Sequence, residues 1–267
     1  MRKMGLTRVI VFLMALFMSL SSYAEDSYRE ALRQFTELSH VSSSMAQEKM
    51  VPSLAGVAMA MYGYSMEEAS ILSEKFCSEN LMNWVLDYME ESFKGIASES
   101  DIKAACSFYT TSRGAVALAH SESYNNQEAQ QKMMLKMLPD IMKLAEGKKV
   151  DKVKSDAPSS YAKLFHKYFV NSGLQEIFAG MMENMKRGKE EDVDYDKRYH
   201  SYMEENMETI VMDAGYPTVT EEDLQALIDF TDTDSGKNIS KATVNMANNA
   251  VTFGTNLIQA FSEYVEK

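Results

Sequence analysis

The sequence is poor in the residues that staple, break or bend a chain: 2 cysteines, 4 prolines and 12 glycines in 267 residues. Two cysteines exclude a disulfide-rich scaffold and an all-cysteine zinc cluster. With few β-branched runs as well, what remains is long stretches of Met, Glu, Lys, Ala and Leu, a composition that favours helix. Histidine is also scarce. His40, His120, His166 and His200 are the whole set, no two lie three or four apart, and none sits in a zinc-binding arrangement. There is no Gly-x-Ser-x-Gly elbow, no phosphate-cradling glycine loop and no dinucleotide fingerprint. No catalytic or cofactor-binding constellation is therefore expected from local motifs. Long apolar runs are missing too, with one exception at the N-terminus.

That exception is residues 9–20, apolar throughout except for Ser19. Arg2, Lys3 and Arg8 precede it. Ser22 and Ala24 follow, then Glu25 and Asp26. A basic lead, a short apolar run and small residues three and one places before a cut are what a signal peptidase reads. The run is shorter than the roughly 20 residues of a bilayer span. The expectation is a signal peptide over 1–24, cleavage between Ala24 and Glu25, no transmembrane segment in the mature chain, and a periplasmic or secreted protein. No cysteine follows the cut, so a lipid anchor is not expected.

Cleavage removes three basic residues and no acidic ones. The mature chain then carries 24 basic against 39 acidic residues, a net charge of −15. Such a surface repels phosphate backbones and anionic headgroups, which argues against nucleic acid and electrostatic membrane docking. Envelope proteins, peptides and acyl ligands stay open as partners. An exported chain with two cysteines suggests one disulfide, Cys77–Cys106; a pair of buried thiols is the alternative.

Helical periodicity runs almost end to end. Residues 26–41 align Ala31, Leu32, Phe35, Leu38 and Val41. Residues 45–61 form a second apolar segment, interrupted by Pro52. Ser65 reads as an N-cap, and Glu67 and Glu68 suit the first turn behind it. Leu81, Val85, Tyr88 and Met89 keep helical spacing up to Gly95. Ser98–Asp101 reads as a capping box. Residues 126–146 form a long amphipath. Residues 147–159 read as a linker and 187–196 as a second polar break.

A repeat lies within this pattern, at an offset of 122. Ile102, Ala104, Phe108, Thr111 and Gly114 match Leu224, Ala226, Phe230, Thr233 and Gly236, each behind an acidic cap, Ser98–Asp101 or Thr220–Asp223. Val85, Tyr88 and Met89 match Met207, Ile210 and Val211. Further upstream, Val41 and Met45 match Val170 and Leu174 at an offset near 129. The reading is an all-α protein of two similar helical modules in tandem, 25–150 and 151–267. At the centre of each copy a helix ends, Thr111 or Thr233 caps the next one, and Gly114 or Gly236 falls at its third position. Glycine there costs helix propensity, so it is expected to admit the close approach of another helix. Cys106 maps onto Ile228 and Cys77 onto Tyr199, so neither cysteine reads as a nucleophile.

The succession of acidic cap, Leu or Ile, Phe-Tyr, Ser or Thr, then Gly resembles an exported bacterial helical family catalogued only as a domain of unknown function. Its members carry Phe-Tyr-x-Ser-Pro-x-Gly at this corner. Phe108, Tyr109, Thr111 and Gly114 match it, as do Phe230, Thr233 and Gly236, while Thr231 replaces the Tyr and Ser112 and Asp234 replace the Pro. The resemblance implies a helical fold and an exported protein, with no activity attached.

Asp232-Thr-Asp234-Ser-Gly236 faintly suggests a calcium loop, but Lys237 and Thr243 stand where the loop needs Gly and Glu. The run Glu190, Glu191, Asp192, Asp194 and Asp196 reads as a solvated acidic loop. Methionine is the oddity. Eighteen of the 22 lie beyond residue 24, with clusters at Met59/Met61, Met133/Met134/Met137, Met181/Met182/Met185 and Met203/Met207. Core filling, an adaptable groove for peptides or acyl chains, and thioether binding of Cu(I) are the three readings. The expectation is a non-enzymatic binding or interaction module with an apolar groove near the two Phe–Thr–Gly corners. The alternative is a hydrolase or lyase whose carboxylates, among Glu79, Glu90, Asp101 and Glu204, meet only in the fold.

Overall fold

The computed structural model describes residues 27–39, 65–124, 127–186 and 193–265. The expected signal peptide and cleavage site, Pro52 and Met59/Met61 lie outside these residues. All regular structure among them is helical, so the fold is all-α. No described helix is long and apolar enough to cross a membrane.

Among the described residues eleven α-helices follow one another: α1 (27–38), α2 (Met66–Phe93), α3 (Glu99–Thr110), α4 (Ser112–Ser121), α5 (Gln127–Ala145), α6 (Ser159–Asn171), α7 (Leu174–Lys186), α8 (Val193–Gly215), α9 (Glu221–Thr231), α10 (Asp234–Asn248) and α11 (Ala250–Val265). A 3₁₀ turn, Glu122–Tyr124, ends α4. The starts are coded locally. Ser65 and Glu68 close a reciprocal capping box on α2, Ser98 and Asp101 on α3, and Thr220 and Asp223 on α9, each satisfying backbone donors that a helix start leaves unpaired. The stops are coded as well. Gly95, Gly147 and Gly173 take the left-handed conformation that ends a helix, with φ of 82°, 73° and 78°.

The helices do not sort into a first and a second half. The largest core joins Leu32 and Phe35 of α1, Val85, Met89 and Phe93 of α2, and Ile102 and Cys106 of α3 to Ile239 and Ala242 of α10 and Phe261 of α11. A second core gathers Tyr124, Tyr161, Phe165, Phe169, Val211 and Leu224. Between them the corners interlock: α3 packs on α10, and α4 packs on α9. The boundary expected at residue 150 falls in an irregular stretch, 146–158, and that stretch is tethered. The Val153 N–H donates to Asn206 Oδ1 (2.8 Å), Ser155 donates to Asp213 (2.7 Å), and Lys136 pairs with Asp213 behind it. Val150 and Val153 pack against a third core with Leu144, Met203 and Ile210. The second polar break is shorter than expected, because α8 already starts at Val193.

Candidate functional site: two closed corners and a methionine cleft

Each corner is built by the same four-residue device. Thr111 donates its hydroxyl to the Phe108 carbonyl (2.7 Å) and accepts from the Gly114 N–H (3.0 Å). Thr233 donates to the Phe230 carbonyl (2.7 Å) and accepts from Gly236 (2.9 Å). The backbone N–H groups of Thr111 and Thr233 reach the same carbonyls, at 3.0 Å in both. The glycines follow from that turn. A Cβ on Gly114 would stand 2.0 Å from the Phe108 carbonyl oxygen, and one on Gly236 would stand 2.1 Å from that of Phe230. The close approach is therefore made by the preceding turn of the same corner, whereas the sequence pattern suggested a separate helix.

The aromatic residues of the corners face one another. Phe108 and Phe230 stack with centroids 4.7 Å apart and planes 4° from parallel, and Tyr109 packs between Phe230 and Phe35. Polar contacts cross the same contact. Asp101 on α3 accepts from Ser235 (2.8 Å) and Asn238 (3.2 Å) on α10. Asp223 on α9 lies 2.8 Å from His120 Nδ1 on α4, and Asp229 takes Arg113 at 2.9 Å. Burial pushes the Asp101 carboxyl up, but the Ser98 hydroxyl and N–H, Ser235 and Asn238 outweigh it and hold the group at about 2. Asp223 is likewise held below the usual carboxylate range: burial opposes, and Thr220 and His120 prevail. At the corners the two rings occupy each other's faces.

The helix ahead of each corner is tied to it alike. Ser27 on α1 donates to Glu99 (2.7 Å), and Ser160 on α6 donates to Glu221 (2.6 Å). Glu99 and Glu221 are 122 apart, while Ser27-Tyr28 and Ser160-Tyr161 are 133 apart. The upstream offset near 129 rests on Val41 and Met45, which lie outside the described residues.

Cys77, half-buried on α2, and Cys106, buried on α3, are separate thiols rather than the expected bridge. Cys106 is a buried member of the first core, and Cys77 packs against the same core from α2. Burial raises both thiols above their ordinary range, so neither is an activated nucleophile. The scattered carboxylates have structural partners. Glu79 accepts from Tyr264 (2.9 Å), Glu90 takes Arg29 (3.1 Å), and Asp101 caps α3. No cluster of three metal-ligating side chains exists among the described residues. Asp232, in the rejected calcium loop, accepts from Lys167 and Asn171. His166 pairs with Glu208 (3.0 Å), and His200 is buried with its Nδ1 unpartnered.

A cleft of about 380 Å³ lies between α6, α7 and α8. Phe169, Phe178, Ala179, Met182, Met203 and Met207 line it, and Gln175, Glu183, Glu204 and Glu208 rim it. Met203 and Met207 share a face of α8, as their spacing requires. Met182 comes from the facing helix, which the linear sequence does not reveal. No Lys or Arg is among the described lining residues. Chemically this is an adaptable apolar floor under a carboxylate rim. Met182 and Met203 are also buried members of the third core, against which Met133, Met137 and Met207 pack, while Met134 is exposed. Comparison with protein families, with curated proteins and with solved structures finds no match to this chain, so its function is read from this geometry.

Proposed function

We propose that this chain is an exported, non-enzymatic binding module whose cleft takes an apolar segment of a cationic partner. The observation that carries the reading is the cleft itself, three methionines and two phenylalanines beneath Glu183, Glu204 and Glu208. Methionine re-packs around varied apolar shapes. A carboxylate rim with no basic residue among the described lining side chains attracts positive charge and repels acidic ligands. The occupant that fits both is an amphipathic peptide segment with Lys or Arg flanking aliphatic side chains. The basic lead, apolar run and small residues of 1–24 support a periplasmic or secreted location, as does the resemblance to the exported helical family. Two related modules are supported by the matched corner bonds and by the matched Ser–Glu bonds ahead of them.

A fluorescent amphipathic Leu/Lys peptide tests the reading. Saturable binding at ~10–100 μM is expected, lost when Lys is replaced by Glu in the peptide. Met207→Lys is expected to weaken it at least about tenfold, and Glu204→Gln about threefold with a shallower salt dependence. Absence of saturable binding, equal affinity in Met207→Lys, uptake of neutral acyl chains alone, or turnover of the peptide would each overturn the reading.

A further inference from the structure

We propose that His166 makes the cleft acid-sensitive: protonation of its ring cancels the charge of Glu208 on the rim and releases a cationic segment as pH falls. This rests on the reading of the cleft given above. The two side chains come from helices that meet at the edge of the cleft. His166 lies on α6 one turn before Phe169, and Glu208 follows Met207 on α8, where Phe169, Met207 and Glu208 all line the cleft. His166 Nδ1 stands 3.0 and 3.1 Å from the two carboxylate oxygens of Glu208. The side chains are 63% and 37% exposed, so the pair exchanges protons with solvent without any opening of the fold.

Helices α7, α8 and α9 pack on α6. From α8, Glu208 meets the ring and Glu204 stands one turn before it; from α7, Glu183 shares the same rim. On the α9 side the carboxylates are turned to other partners: Glu221 accepts from Ser160, and Asp232, just past the helix end, accepts from Lys167 and Asn171. Lys163 and Lys167 flank His166 on α6 itself, and Lys167 is the one drawn to Asp232. A neutral ring donates its Nδ1–H and leaves Glu208 its full charge, so three rim carboxylates face an incoming cation. An imidazolium in the same place neutralises one of the three. An exposed ion pair adds little to stability, so the change acts on the field of the rim and not on the fold. Histidine is the side chain whose charge changes between about pH 5 and 8. Asp101, held at about 2, keeps its charge throughout that range, and the corners stay as they are.

Calorimetric titration of the chain with the Leu/Lys peptide, acetylated and amidated so that its termini carry no charge, reads the effect. At low salt the affinity is expected to be about threefold weaker at about pH 5.5 than at about pH 8, with the gap shrinking as salt is added. His166→Gln should bind equally at the two pH values. His166→Lys, charged at both, should show the weaker affinity at both. Helicity should be retained in each variant, because the position is exposed. An affinity that ignores pH in the parent, or a pH dependence that survives His166→Gln, would overturn this proposal and leave the reading of the cleft standing. Absence of binding at either pH would overturn both.

Discussion

The corners and the cleft use similar residues to opposite ends. Both combine aromatic or sulfur-bearing side chains with carboxylates. At the corners every such group is answered from within the chain: Phe108 by Phe230, Asp101 by Ser235 and Asn238, Asp223 by His120. In the cleft Met182, Met203 and Met207 line open volume, and Glu204 faces solvent. The difference teaches that the repeated motif specifies the frame, while the open volume lies away from the two corners.

The strongest way to test this division is to open a corner. Gly114→Ala and Gly236→Ala each put a methyl within 2.1 Å of a backbone carbonyl that cannot move without breaking the threonine cap. Each is expected to cost about 3 kcal/mol, more than an ordinary Gly-to-Ala change in a helix, which stabilises. Thermal or urea unfolding measures it. If either variant is as stable as the parent, the corner is not the rigid device described.

Acid provides a gentler probe. Asp101 is held at about 2 in the folded chain. A depressed carboxyl contributes stability that is complete above its unfolded value near 4 and is lost as pH falls toward 2. Asp101→Asn should therefore flatten the loss of stability between about pH 4 and 2. Asp223→Asn should do the same within the acid range, because its carboxyl is also depressed. Urea midpoints taken across that range in the two variants decide it, and an identical profile in the parent and in Asp101→Asn would refute the assignment.

Much of the frame was legible because it is local. Ser65, Ser98, Thr111, Thr220 and Thr233 cap the helices the pattern placed there, and each bond spans no more than three residues. The role of Gly114 was half legible: its close contact was expected, but the contacting group is its own preceding turn. The pairing of α3 with α10 was not legible, because Asp101 meets Ser235 across 134 positions and an amphipathic stripe states which face is buried without naming what covers it. The cleft was hidden for the same reason. Met203 and Met207 were recognisable as neighbours, but Phe178 and Met182 join them only through the packing of α7 on α8. The 147–159 stretch read as a linker because it lacks periodicity, yet Asn206 and Asp213 hold it down through single polar bonds.

The most direct measurement is a methyl NMR titration of the methionine-labelled chain with the Leu/Lys peptide. The account predicts that the Met182, Met203 and Met207 resonances move together and saturate, while Met89, buried in the first core, stays in place. Unmoved cleft methionines, or shifts spread evenly over cleft and core, would contradict it.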